Sequence, residues 1–163
     1  MVMLAGLLLS LGLRAGPVRA DSTTGLAFLR IGVGARASGM GEAFTAVSDD
    51  ASATFWNPAG LSLLDGTHVM FVNNSFIQDI SQEFVAVATE IGTVKLGGAM
   101  NLVRLGTLEK RDEQGNLEGE FKPFDLAASV SVAYPLRDWV DVGGTAKGVI
   151  EDIDTETAYG ALF

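Results

Sequence analysis

The sequence predicts an all-β protein whose antiparallel strands are of the kind that cross an outer membrane as a β-barrel, with a partly helical segment ahead of them. Three observations lead there. From Thr67 onward apolar and polar residues alternate with a period of two, which is the pattern of strands. The chain is 48% hydrophobic but only 19% charged and holds 20 glycines, a composition that suits many strands whose apolar side chains need not all point inward. Beyond the N-terminal leader no stretch approaches the run of about 20 apolar residues that a membrane helix requires, so any crossing must use strands.

The leader comes first. Leu4 to Leu13 is an apolar run of signal-peptide length, and Val18-Arg19-Ala20 puts small residues at the two positions a signal peptidase reads, so residues 1–20 are expected to be removed. The usual basic start is missing from Met1-Val2-Met3. The whole chain carries a net charge of −9, from 11 basic and 20 acidic residues; losing Arg14 and Arg19 leaves 9 against 20, or −11. No basic patch exists to hold phosphates, so a nucleic-acid partner is excluded. Cysteine is absent, and with it disulfide and thiol chemistry.

Residues 21–66 form the second unit. Asp21 to Phe28 is a polar linker, followed by Gly32, Gly34, Gly39 and Gly41. Their spacing is not GxGxxG and no Gly-Lys-Ser/Thr follows, so a nucleotide loop is rejected; glycines here let backbone pass close to a wall. Met40, Ala43, Phe44 and Val47 stand at helical spacing and predict a helix over 40–47. Ser48, Asp49 and Asp50 can cap a further turn from Ala51 to Phe55. Asn57 and Pro58 suit the cap and first position of a short helix ended by Gly66.

Residues 67–163 are read as strands. The first runs from Thr67 to Ser75, the second from Glu83 to Ile91, and the third from Val94 to Leu105 after a tight Gly92-Thr93 turn. A polar loop is expected from Gly106 to Glu120. In the fourth strand Phe124, Leu126, Ala128, Val130, Val132 and Tyr134 share one face, and Asp125, Ala127, Ser129, Ser131 and Ala133 the other. At ~3.4 Å per residue and ~40° tilt this strand rises about 26 Å, close to the ~25 Å apolar band of an outer-membrane barrel. Phe124, Leu126, Val130, Val132 and Tyr134 are therefore expected to face lipid, and Asp125, Ser129 and Ser131 a wet lumen. A turn follows over Pro135 to Trp139. The fifth strand, Val140 to Glu151, carries Lys147 on the inner face, because in mid-bilayer a lysine costs roughly 2–4 kcal/mol. A polar loop from Asp152 to Glu156 and a sixth strand from Thr157 complete the chain.

The connections after the second and fourth strands are tight, while the others are longer or more polar. Since such barrels have short periplasmic turns, the first strand should run outward and the external loops are acidic. Glu109, Asp112, Glu113, Glu118 and Glu120 in one and Glu151, Asp152, Asp154 and Glu156 in another read as solvated loops, because no calcium-loop spacing is present. The single histidine, His68, has no partner for a metal or a nucleophile, so neither an enzyme, a cofactor nor a metal is expected.

The run FLRIGVGARASGMGEAFTAVSDDASATFWNPAGL, Phe28 to Leu61, resembles the N-terminal signature of the PorV/PorQ family of bacterial outer-membrane proteins, relatives of the FadL-type channels. The resemblance implies that residues 21–66 enter the lumen as a hatch, with Arg36, Met40, Gly41, Asp49, Asp50, Asn57, Pro58, Ala59 and Gly60 as its characteristic positions. It also implies a barrel of about fourteen strands, of which the first five to six are present here, so the chain is expected to be an N-terminal part of a longer protein. By the same resemblance the partners are outer-membrane lipid and secreted cargo proteins or other subunits of a type IX secretion system. The FadL kinship implies an alternative, a channel for fatty acids or other hydrophobic small molecules.

Overall fold

The computed structural model of the protein describes residues 26–112, 114–153 and 156–162. The expected signal peptide lies outside the described residues. The segment before the strands folds as a 3-10 turn Ala27–Arg30, a short helix α1 (Ala35–Gly39), a one-turn helix α2 (Ala53–Trp56) and a 3-10 helix Pro58–Leu63. Eight strands follow: β1 (His68–Ser75), β2 (Ser81–Ile91), β3 (Val94–Arg104), β4 (Leu108–Arg111), β5 (Leu117–Phe121), β6 (Phe124–Arg137), β7 (Val140–Ile153) and β8 (Glu156–Leu162). Six make one antiparallel sheet in the order β1-β2-β3-β6-β7-β8, and β4 pairs with β5 as a separate hairpin. The all-β class is thus observed. Within the described residues the sheet is open, with β1 and β8 as its edges.

The two-residue period becomes two unlike faces. One is covered by residues 26–64: Phe84, Ala86 and Ala88 of β2, Ala99 and Val103 of β3, Ala127, Ser131 and Ala133 of β6 and Val149 of β7 are buried there. The other is open and apolar, with Val69 and Phe71, Val85 and Val87, Met100, Val130 and Val132, Tyr134 and Val142 all exposed. Register keeps these side chains in rows: Val69 stands opposite Val87, Val87 opposite Gly98, Gly98 opposite Val130, and Val130 opposite Ala146. A one-residue slip would exchange the faces, so the contrast between them fixes register.

The core therefore lies between the N-terminal segment and one side of the sheet. Val33, Ala51, Ala53, Leu61 and Leu64 of the segment pack on Phe84, Ala86, Ala88, Ala99 and Ala133, and a second cluster joins Phe28 to Val103, Ala127 and Val149. Each fully buried Leu, Val or Phe contributes roughly 1.5–3 kcal/mol. Small residues on the wall allow close approach. At Gly143 a Cβ would sit 2.4 Å from Ala59 N, and at Gly60 one would sit 1.9 Å from the Ser48 carbonyl oxygen, so the Pro58–Gly60 backbone is wedged between the sheet and its own preceding loop.

Several local expectations are corrected. The helix expected over 40–47 is not formed: helix occupies Ala35–Gly39, and residues 40–47 are turns, because Gly41 and Glu42 take φ of 62° and 66°, which no right-handed helix permits. Gly66, at φ 78°, bends the chain into β1 but does not end the preceding helix, which stops at Leu63. The loop expected from 106 to 120 holds the β4–β5 hairpin, turned by Asp112, whose Oδ1 accepts from the backbone N–H of Gln114 at 2.9 Å and of Asn116 at 2.7 Å. The turn expected from Pro135 is shorter, since β6 runs on to Arg137. Pro135 is tolerated there because it lies past the last β6 residue paired with β3, Ala133, so its missing N–H breaks no ladder bond on that side. β7 likewise continues to Ile153, into the stretch expected to be loop.

Candidate functional site

The distinctive surface is the contact between the N-terminal segment, residues 26–64, and the covered face of the sheet. Its charged handle is Arg36 on α1, whose Nη1 pairs with Asp49 Oδ1 and lies 3.7 Å from Asp50 Oδ2, while its Nη2 donates to Asp49 Oδ2 at 3.3 Å. The guanidinium also stands 5.2 Å from the Phe44 ring centroid. Hydrogen bonding to Arg36 holds the Asp49 carboxyl below its ordinary range, with the charge of Arg36 adding to it. Asp50 does not take the capping role expected of it: its Oδ1 accepts from Ser52 N at 2.8 Å and from Ser52 Oγ at 2.5 Å in a turn ahead of α2, whose N-cap, Ser52, makes no side-chain cap bond. Asn57 caps the 3-10 helix, its Oδ1 accepting from Ala59 N at 3.2 Å with Pro58 in the first position, and its Nδ2 donates to the Thr45 carbonyl at 3.1 Å. Met40 does not join this packing and is 44% exposed. Gly41 supplies the left-handed turn beside it.

A polar relay fastens the N-terminal segment to the sheet. Asn74 Nδ2 donates to Gln82 Oε1 at 2.9 Å, and Gln82 Nε2 donates both to the Ile31 carbonyl and to Asn101 Oδ1, each at 3.1 Å. Lys95 reaches the Leu64 carbonyl at the far end of the segment and pairs with Glu90 at 2.6 Å. Glu151 Oε1 accepts from Leu26 N at 2.6 Å, and within the segment itself Trp56 Nε1 donates to the Val33 carbonyl at 3.1 Å. Gln82, Asn101 and Lys95 are among the buried residues, so these bonds replace hydration and breaking one leaves an orphan costing about 1–3 kcal/mol.

The sequence-predicted wall residues divide as the alternation requires. Asp125, Ser129, Ser131 and Lys147 all lie on the covered face. Ser131 is buried with its Oγ 2.7 Å from Thr145 Oγ1, Ser129 stands opposite Lys147, and Asp125 stands opposite Glu151. The Lys147 ammonium sits 5.3 Å from the Phe55 ring centroid. Phe124, Leu126, Val130, Val132 and Tyr134 lie on the open face, with Val130 68% exposed. The sequence does not reveal the relay, because Gln82 precedes the predicted second strand and Asn101 reads as ordinary lumen lining. The available signal was an amide at 82 and another at 101, both on the parity of the small, buried residues.

No helix among the described residues is long and apolar enough to cross a membrane, which leaves strand crossings untouched. No curated protein and no solved structure matches the chain. Residues 19–157, which include the segment 26–64, the relay and seven of the eight strands from end to end, match a family model, and the chain belongs to that family, the uncharacterised protein family UPF0164.

Proposed function

We propose that the six-stranded sheet is part of the wall of a bacterial outer-membrane β-barrel of PorV/PorQ type, that residues 26–64 plug its lumen, and that the protein serves delivery of secreted proteins to the cell surface in a type IX-like export system. The observation that carries the reading is the inverted polarity of the sheet. Its open face is a continuous apolar surface spanning β1, β2, β3, β6 and β7, whereas Gln82, Lys95, Asn101, Ser131 and Lys147 are on the covered side. Isolated exposed apolar residues are ordinary, but a contiguous surface of this kind marks contact with lipid or protein. Charge returns to the open face near its two ends: Arg104 pairs with Glu83 and Asp152 follows on β7 at one, and Arg137 stands opposite Val140 at the other. Phe124 stands at the Arg104 end and Tyr134 and Trp139 at the other, where interfacial aromatic girdles belong. An open sheet edge is not viable in lipid, so in this reading further strands complete the wall.

Export is favoured over a lipid channel by the residues Phe28 to Gly41, whose order resembles PorV/PorQ more closely than FadL. The plug offers a surface for a protein partner in its exposed residues Ala35, Arg36, Met40 and Glu42. The test is a deletion strain of the source bacterium. Cargo bearing a C-terminal sorting domain should accumulate in the periplasm, and normal surface display sinks the export reading. Lost uptake of labelled fatty acid with cargo display intact would assign the channel role instead.

A further inference from the structure

Between plug and wall lies a void of about 10 Å³, lined by Leu29 and Phe55 of the plug and by Phe84, Asn101, Ser129 and Lys147 of the wall, among others. That is the space one water molecule or one small ion needs. Two of the polar groups around it lack a counterpart. Asn101 is only 4% exposed, and its Nδ2 has no hydrogen-bond partner. The direction of that amide is dictated from a distance. The Ile31 carbonyl can only accept, so Gln82 must turn its Nε2 toward it; the second N–H of the same nitrogen goes to Asn101, which must answer with Oδ1 and present its NH2 to the void. Asn74, donating to Gln82 Oε1, agrees with that orientation. A flipped Asn101 would set two NH2 groups against each other.

Lys147 supplies the second imbalance. Its ammonium is half-buried over the Phe55 ring, and among the described residues no carboxylate comes within ion-pair distance of it. The void is thus bordered by a buried neutral donor and a cation, and the Ser129 hydroxyl can donate as well. A water molecule would satisfy Asn101 but leave the charge uncompensated, and a half-buried charge without a partner is costly.

We propose that this void binds one small monovalent anion of halide type, held by Asn101 Nδ2 and the Lys147 ammonium, and that the anion helps pin the plug to the wall. The site requires only the packing of plug on sheet, and it stands whether or not the open face meets lipid. An anion bound to the docked state and not to the unfolded chain raises stability with its concentration until the site saturates.

The experiment is thermal unfolding of the purified full chain in sodium chloride, sodium bromide and sodium gluconate at equal ionic strength, with crystals grown in bromide. The melting temperature should be several degrees higher in either halide than in gluconate, and an anomalous bromide peak should lie between Asn101 and Lys147. Asn101→Asp keeps the shape of the side chain and puts a carboxylate oxygen in place of Nδ2, bordering the void, so that its charge stands in for the ion's. It should remove the halide dependence and raise the melting temperature in gluconate toward the wild-type value in chloride. Lys147→Met should also lose the halide effect, and if it does not fold, Asn101→Asp decides. Equal melting in halide and gluconate, an undiminished halide shift in Asn101→Asp, or a water in the void of bromide-grown crystals would overturn the assignment.

Discussion

Val130→Arg separates a sheet that meets lipid from one that meets water. Val130 is 68% exposed and sits in the open-face row with Val87 and Ala146, six residues from Phe124 and four from Tyr134. At ~3.4 Å per residue and ~40° tilt those separations are about 16 Å and about 10 Å of depth, well inside an apolar band of ~25 Å. Facing water, a substitution at so exposed a site changes stability by no more than about 0.5 kcal/mol. Facing lipid near mid-depth, an arginine costs roughly 2–4 kcal/mol, which is roughly a 30- to 700-fold loss in the folded-to-unfolded ratio. The assay is equilibrium urea unfolding of the protein with its wall completed by the further strands, folded into phosphatidylcholine vesicles, alongside membrane fractionation in the cell. Val130→Ser serves as the control that removes the side chain without adding charge. An arginine variant within about 0.5 kcal/mol of the serine variant refutes the lipid-facing assignment.

Two further outcomes concern the plug. Gly60→Ala puts a Cβ 1.9 Å from the Ser48 carbonyl oxygen, a backbone atom that cannot turn aside, whereas nothing lies within 4 Å of a Cβ at Gly39. Gly60→Ala should therefore cost about 1–3 kcal/mol and expose the plug to limited proteolysis while Gly39→Ala leaves it protected, and equal protection of the two contradicts the wedge. The Arg36–Asp49 pair makes a pH statement: because the docked Asp49 carboxyl titrates below its ordinary value of 3.8, its contribution is present above that value and is lost as pH falls through the lowered one. Above the ordinary value wild type should accordingly resist proteolytic release of the plug better than Asp49→Asn, the two converging as pH falls through the lowered value, and identical acid profiles for the two proteins would show that the pair does not hold the loop.

How much of this was legible depends on whether a residue's two sides differ. Along β6 the alternation of Val130 and Val132 with Ser131 and Ala133 records two unlike environments, and both the strand and its faces could be read. Along β4 and β5 it could not. Leu108, Glu109, Lys110 and Arg111 are exposed throughout, so no period records the pairing of Leu108 with Phe121. In the plug, Asn57-Pro58 carried its own capping chemistry and was legible, while the break at Gly41 and Glu42 was hidden because the spacing of Met40, Phe44 and Val47 imitates a helix. The relay through Gln82 and Asn101 was out of reach for another reason. Its meaning comes from the Ile31 carbonyl, 51 residues from Gln82, and sequence alone does not bring them together.

That separation bears on how the protein assembles. β1, β2 and β3 are neighbours along the chain and can zip as successive hairpins, each closing only a short loop. The plug cannot follow that course: its first described residue, Leu26, is held by Glu151, 125 positions away, and the 3-10 helix Pro58–Leu63 rests on β6 and β7. Contacts of such span are slow to form, because the entropy of closing the intervening chain is lost before any contact repays it. The segment that precedes every strand in the chain is thus among the last to find its place, and until β7 is laid down Phe28, Phe44 and Leu61 have no complete surface on which to hide.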